Sequence, residues 1–175
     1  MSVIAEVKDI FLRKKDQIEK RLKDFKKRGQ IDSKIFEELV FCLLTPQSRA
    51  KNCWRAVEQL KRKGLLQNGN LNTIADELKE VVRFHNKKAS FIIKARKMFF
   101  YKKGYNIKSK FKSFDDAYGL REWLVRNIKG FGYKEASHFL RNIGMGEKLA
   151  ILDRHILRNL KLAGVIKDLP RSLTK

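Results

Sequence analysis

Cysteine is scarce: the 175 residues hold only Cys42 and Cys53, both in apolar surroundings and without a C-x-x-C spacing. A disulfide framework or a zinc ribbon is therefore not expected. An iron–sulfur cluster held by four thiolates cannot be built from this chain alone. The three histidines are scattered singly, so no side-chain metal site is expected either. No run approaches the roughly 20 apolar residues of a membrane span. The N-terminus, MSVIAEVKDIFLRKK, mixes charges into its apolar positions, which a secretory h-region would not do. Alternating strand patterns of useful length are missing, as are internal repeats and low-complexity linkers. These absences point to a soluble, intracellular, all-α chain, cytoplasmic or nucleoid-associated. Its length suits one globular unit with room for two lobes, and 43% hydrophobic residues suffice for a real core.

Acidic residues are also in short supply. Nineteen stand against 41 Lys and Arg, giving a net charge of +22 and a pI of about 10.2. Such an excess repels itself and calls for an anionic partner. Nucleic acid is the leading class, although a ribosomal protein or a binder of anionic membranes would share the balance. Charge thus selects a partner class and not a chemistry.

What is present is helical periodicity, and it predicts eight to ten helices. Residues 1–28 form a long amphipathic helix with Val3, Val7, Ile10, Phe11, Ile18, Leu22 and Phe25 at helical spacing, capped by Gly29. Asp32 or Ser33 starts a second helix, whose Ile35, Phe36, Leu39, Val40, Leu43 and Leu44 mark it as central and buried. It must stop before Pro46. The pentapeptide Thr45-Pro46-Gln47-Ser48-Arg49 then joins it to a helix with Trp54, Val57 and Leu60, closed by Gly64. This turn is either an ordinary connection or a place from which a side chain reaches outward. Asn72 or Thr73 opens a further helix, which Arg83 to Lys88 interrupts. Phe84 in that break either touches a base or phosphate or plugs the core beneath the loop. Residues 105–112 read as a basic, solvated connection. Ser113-Phe114-Asp115-Asp116 fits a capping box for a helix carrying Leu120, Trp123 and Leu124. A last helix over 154–163 has Ile156, Leu157 and Leu160 inward, and the tail 169–175 reads as the approach to another, with Ser172 or Thr174 as its N-cap.

The chemistry concentrates between Asn127 and Asn159. Gly130-Phe131-Gly132 sits between two helix-favouring segments. Such a turn brings backbone close to a phosphate oxygen, and the N–H groups and dipole of the second helix favour that anion. The contact anchors DNA without reading its bases. The carbonyls of the turn are candidate ligands for a monovalent cation. Lys134 falls in the first turn of the second helix, where the dipole disfavours a cation and so favours the amine as a nucleophile. In a chain with 41 basic residues, position alone does not single it out. Nineteen residues on comes Asp153, flanked by Ile151, Leu152, Ile156 and Leu157. As N-cap of the last helix its carboxylate would be fixed in place, and a fixed carboxylate can stabilise cationic character at a sugar C1′ as a base departs.

The run KGFGYKEASHFLRNIG, followed by AILDRHILRNL, resembles the helix-hairpin-helix DNA glycosylase superfamily. TPQSRAKNCW, RFHNKKA and GYKEASHFLRN together resemble the archaeal-type 8-oxoguanine DNA glycosylase/AP lyases, the second Ogg family, over about Asp32 to Leu160. The resemblance implies a two-lobed helical fold with the active site in the cleft between lobes. One lobe would span 32–144 and include the hairpin; 1–31 and 145–175 would form the other. It implies a bifunctional enzyme acting on damaged double-stranded DNA as a monomer. Lys134 would displace the damaged base and form a Schiff base with the deoxyribose, leading to β-elimination, and Asp153 would assist the glycosidic step. Gly130 and Gly132 match the phosphate-binding hairpin. Gln47 matches the residue that fills the hole left by the extruded nucleotide, with Arg49 beside it as a further DNA contact. His138, one helical turn beyond Lys134, would stack against the flipped base. The lesion must leave the helix because its C1′ is shielded in the duplex. The cysteines of the iron–sulfur branches are absent. The resemblance implies that family chains usually continue into a further C-terminal helical segment that helps build the guanine pocket, and none is expected within these 175 residues. The alternatives are a glycosylase/lyase for another oxidised base and a non-catalytic helix-hairpin-helix module that binds DNA.

Overall fold

The stretch from Ile35 to Leu44 decides the architecture, because its apolar residues, interrupted only by Glu37 and Glu38, cover most of the helix and must be surrounded. The structure, a computed structural model, describes residues 3–101 and 104–170. The described residues form ten helices: α1 (Val3–Arg28), α2 (Asp32–Leu44), α3 (Ala50–Arg62), α4 (Leu65–Asn68), α5 (Leu71–Leu78), α6 (His85–Phe99), α7 (Lys108–Phe111), α8 (Ala117–Asn127), α9 (Tyr133–Asn142) and α10 (Arg154–Leu162). Between α6 and α7, β1 (Phe100–Tyr101) and β2 (Gly104–Tyr105) pair antiparallel, with Phe100 opposite Tyr105. The all-α expectation holds apart from this ladder, which is too short to leave a periodic trace in sequence.

α2 is the hub. Its Ile35, Phe36, Leu39, Val40, Leu43 and Leu44 are each at most 1% exposed. It packs against α3, α6, α9 and β2. Tyr105 stacks on Phe36 with centroids 4.4 Å apart and donates its hydroxyl to Leu66 O at 3.2 Å. Ile107 and Phe111 are buried as well. The segment 105–112, expected to be a solvated connection, therefore contributes apolar anchors to the core; its lysines hid the two residues that matter.

Several helix starts lie elsewhere than the pattern suggests. Asn70, not Asn72 or Thr73, caps α5, its side chain accepting from Thr73 N at 2.9 Å. Asp116, not Ser113, caps α8 by accepting from Gly119 N at 2.7 Å. Asp32 opens α2 without capping it. Its Oδ1 accepts instead from Ile107 N and Lys108 N, at 2.9 and 2.7 Å, tying the start of α7 to α2. A carboxylate serves whichever orphan amides the tertiary fold brings to it.

The terminal helices differ from the hub. Of the apolar stripe on α1, only Phe25 is buried, with the guanidiniums of Arg21 and Arg141 over its ring at 4.6 and 5.5 Å. Val7, Ile10, Phe11, Ile18 and Leu22 are exposed. Gly29 follows α1 for a reason of space: a Cβ there would lie 2.0 Å from Ile143 O. Arg28 Nε pairs with Glu38 Oε1 at 2.6 Å, and Asn142 donates to Glu38 Oε2 at 2.9 Å, so a buried carboxylate joins α1, α2 and α9. Burial pushes the Glu38 carboxyl up against these partners. In α10, Leu157 is buried but Ile156, expected to face inward, is 43% exposed. Ser172 and Thr174 lie outside the described residues.

Candidate active site

The hairpin joins α8 to α9 in five residues. Ile128 O accepts from Phe131 N at 3.1 Å, closing the turn. Gly130 has φ +100°, and a Cβ there would stand 2.4 Å from Phe91 Cδ2. Glycine is thus required twice over, by backbone and by the ring behind it. Gly132 differs. Its φ of −105° suits any residue, and a Cβ would meet only Glu135 Oε2 at 3.1 Å. Phe131 turns inward and packs on Phe139, with centroids 5.8 Å apart. Tyr133 donates to Glu122 Oε2 at 2.9 Å, locking α9 to α8.

Gly132 N–H, the amide expected to meet a phosphate, already has an anion. It donates to Glu135 Oε2 at 3.2 Å. Glu three residues past the cap is half of a capping box, a pattern legible in GYKE but not read as such above. The other oxygen, Glu135 Oε1, lies 3.9 Å from Lys134 Nζ. The Lys134 side chain is 38% exposed, so its amine is open to a ligand on the hairpin.

Asp153 is the N-cap of α10. Its Oδ1 accepts from His155 N and Ile156 N, both at 2.9 Å. The carboxyl is held below its usual range chiefly by the Ile156 N–H; burial opposes this, and the His155 N–H, the His155 charge and the Lys134 charge add to the lowering. Both hydrogen bonds end on Oδ1, which leaves Oδ2 for a second partner. Lys134 and Asp153 feel each other's charge without forming an ion pair, since Lys134 pairs with Glu135.

The Pro46–Ser48 turn presents Gln47, which is exposed and has φ +53°. Arg49, also exposed, precedes α3 as a backbone cap, its carbonyl accepting from Cys53 N at 3.0 Å. A second turn lies against this one: Arg83 N donates to Ser48 Oγ at 3.0 Å. Phe84 in it has φ +58° and is 53% exposed, so it does not plug the core. Beneath both turns lies Lys88, 4% exposed, which no sequence pattern had flagged.

His138 packs edge-on against Phe41, with centroids 5.8 Å apart. Burial, then the charges of Arg141 and Lys134, push its imidazole down to about 4, so it is neutral at pH 7. It lines an apolar groove of about 740 Å³ together with Phe41, Asn142 and the exposed face of α1. A neutral ring beside an apolar groove suits stacking and not charge recognition. Among the described residues, no group of three or more His, Cys, Asp or Glu side chains converges on a metal position. No helix there is long and apolar enough to cross a membrane.

A glycine turn between two packed helices, with a part-exposed lysine just beyond it and a capped carboxylate within its electrostatic reach, defines a class: the helix-hairpin-helix proteins. Comparison with known proteins narrows it. Residues 18–175 match the Ogg-HhH family, described as 8-oxoguanine DNA glycosylase. The 8-oxoguanine DNA glycosylase/AP lyase of Fusobacterium nucleatum is 43% identical over 171 residues, which cover 97% of this chain and 78% of that protein. The crystal structure of the Thermotoga maritima 8-oxoguanine DNA glycosylase superposes with a TM-score of 0.82 at 38% identity, over 97% of this chain and 78% of that one. The Methanocaldococcus jannaschii 8-oxoguanine glycosylase/lyase, solved with a 15mer DNA containing 8-oxoguanine, superposes with a TM-score of 0.87 at 36% identity, over 100% of this chain and 82% of that one. The chain belongs to the Ogg-HhH family of 8-oxoguanine DNA glycosylases.

Proposed function

We propose that this chain removes 8-oxoguanine from duplex DNA and then cleaves the strand at the abasic site, with Lys134 as nucleophile and Asp153 as its carboxylate partner. One observation carries the assignment of roles: the Lys134 amine stands open in the first turn past the glycine hairpin, where a bound phosphate brings the sugar to it. The relatives, 8-oxoguanine DNA glycosylase/AP lyases, supply the reaction class.

The nucleotide must first leave the stack. Gln47, with Arg49 beside it, occupies the gap, while Gly130 and Gly132 let the backbone approach the adjacent phosphate. A monovalent cation on the turn's carbonyls belongs to the same proposal as a bridge to that phosphate; no iron–sulfur cluster enters it. The flipped base stacks on the neutral His138. Lys134 Nζ bonds to C1′ as the N-glycosidic bond breaks, and the base departs with the bonding electrons. The Asp153 carboxylate stabilises the positive charge developing on the sugar. Ring opening leaves an imine between Lys134 and C1′. Loss of a proton from C2′ then expels the 3′ phosphate as the C3′–O bond breaks. The catalytic cleft lies between a lobe of residues 32–144 and one built from 1–31 and 145–175, and the protein acts as a monomer.

Borohydride reduction during turnover on an 8-oxoguanine·cytosine duplex tests this. It traps a covalent protein–DNA adduct, and Lys134→Gln abolishes the adduct while still binding DNA. An adduct of unchanged yield in that variant would remove Lys134 from the role. Faster cleavage at thymine glycol than at 8-oxoguanine would move the substrate to oxidised pyrimidines, and binding with no nicking at abasic sites would leave only a DNA-binding module.

A further inference from the structure

Lys88 is a buried cation whose three amine protons all go to the same short stretch of chain. Nζ donates to Leu44 O at 2.7 Å, to Pro46 O at 2.8 Å and to Ser48 Oγ at 2.9 Å. Leu44 O belongs to the C-terminus of α2, where the helix dipole favours a cation. The other two acceptors flank Gln47 on either side. Ser48 Oγ also accepts from Arg83 N, so one hydroxyl joins the Gln47 turn to the Phe84 turn, with Lys88 beneath them. No carboxylate pairs with this ammonium among the described residues. A buried charge is costly unless fully hydrogen-bonded. An arrangement that spends all three protons on one turn makes that turn's shape the condition of the lysine's burial.

That shape is an unfavourable one. Gln47 has φ +53°, a conformation L residues other than glycine adopt at a cost. Such strain persists only where the surroundings over-determine it, and it clusters where a side chain must be held in readiness. We propose that Lys88 is the positioning residue of the Gln47 turn, its buried ammonium bonding the carbonyl before Gln47 and the hydroxyl after it so that Gln47 is preset to enter the duplex. This rests on the reading of Gln47 as the residue that fills the vacated stack. Lys88 does not touch DNA in this account; it sets the geometry of the residue that does.

The test is a double-mutant cycle on single-turnover excision of 8-oxoguanine, with 2-aminopurine fluorescence next to the lesion as the readout of nucleotide flipping. Gln47→Ala lowers both. Lys88→Met, which keeps the stem and deletes the donors, lowers both by roughly tenfold, and adding it to Gln47→Ala lowers them no further, because the two act through one contact. Borohydride trapping at a preformed abasic site, which needs Lys134 but little flipping, changes less than twofold in Lys88→Met. Ser48→Ala, which removes a single acceptor, keeps the cycle readable should Lys88→Met fold poorly, and gives a smaller loss that also vanishes in the Gln47→Ala background. Additive losses in the double variants, or trapping that falls in step with excision, would show Lys88 to be a structural cap of α2 alone and overturn the proposal while leaving Gln47 its role. Undiminished excision by Gln47→Ala would remove both.

Discussion

Two turns carry the proposed DNA contacts, and they are built on opposite principles. The 128–132 turn works by omission: at Gly130 a side chain would strike Phe91, and the polar groups its glycines offer are those of the backbone. The Pro46–Ser48 turn works by presentation: a non-glycine residue is held at positive φ by a buried lysine, and its side chain is exposed. A backbone grip suits the phosphates of any sequence. A presented side chain matters only once a nucleotide has left the stack. On the proposed roles, one fold separates general binding from lesion-dependent action, and the division can be attacked at several points.

The largest expected effect comes from removing the chemistry while leaving both turns intact. Asp153→Asn keeps an equally good N-cap, so stability changes by less than about 1 kcal/mol. Loss of the charge lowers the excision rate about 10²–10³-fold, with unchanged affinity for duplex DNA by fluorescence anisotropy. Gly130→Ala comes next. Positive φ costs about 1–3 kcal/mol and the clash with Phe91 about 1–3 kcal/mol more, so thermal unfolding shifts down by several degrees. Affinity for undamaged and lesion DNA falls in parallel. A variant as stable as the parent would break the contrast between the turns. Gln47→Gly relieves the strained backbone and leaves stability within about 1 kcal/mol. It still slows 8-oxoguanine excision by about 10–100-fold, with binding to undamaged duplex unaltered; equal losses on both DNAs would merge the two turns into one function. A pH dependence of stability stands apart from both turns. His138 is pushed down to about 4 in the fold, against about 6.5 in an unfolded chain. As pH falls through that window the unfolded chain takes up the proton first, so stability declines between about 6.5 and about 4 and levels off below. Denaturant titrations at pH 7, 5 and 4 should show that decline reduced in His138→Gln.

The hub helix was legible because its apolar residues, broken only by Glu37 and Glu38, cover most of the cylinder, a pattern that calls for burial. The hairpin was legible because two glycines flanking an apolar residue between amphipathic helices have few other uses. Asp153 could be placed as a cap because capping is local chemistry: side chain and amides lie within three residues. The misplaced caps at Asn70 and Asp116 are local too, but competing Asn, Thr, Ser and Asp residues stand within a few positions of each, and sequence does not rank them. Asp32 escaped for a different reason, since its amide partners are 75 and 76 residues away. Lys88 escaped as well: its acceptors are 40 to 44 residues off, and it is one lysine among many.

By itself the sequence determined the periodic and the local: a helical chain, a central helix, a glycine hairpin followed by an amine, a capped carboxylate and a charge that asks for a polyanion. Those properties depend on neighbours within a turn or two, where spacing dictates geometry. Only the tertiary structure decided which apolar stripe is covered, leaving α1 largely open while Ile107 and Phe111 go inside. It alone placed Lys88 beneath Gln47. Buried polar groups must find partners wherever the packed chain supplies them, and partners distant along the chain leave no periodic mark in it.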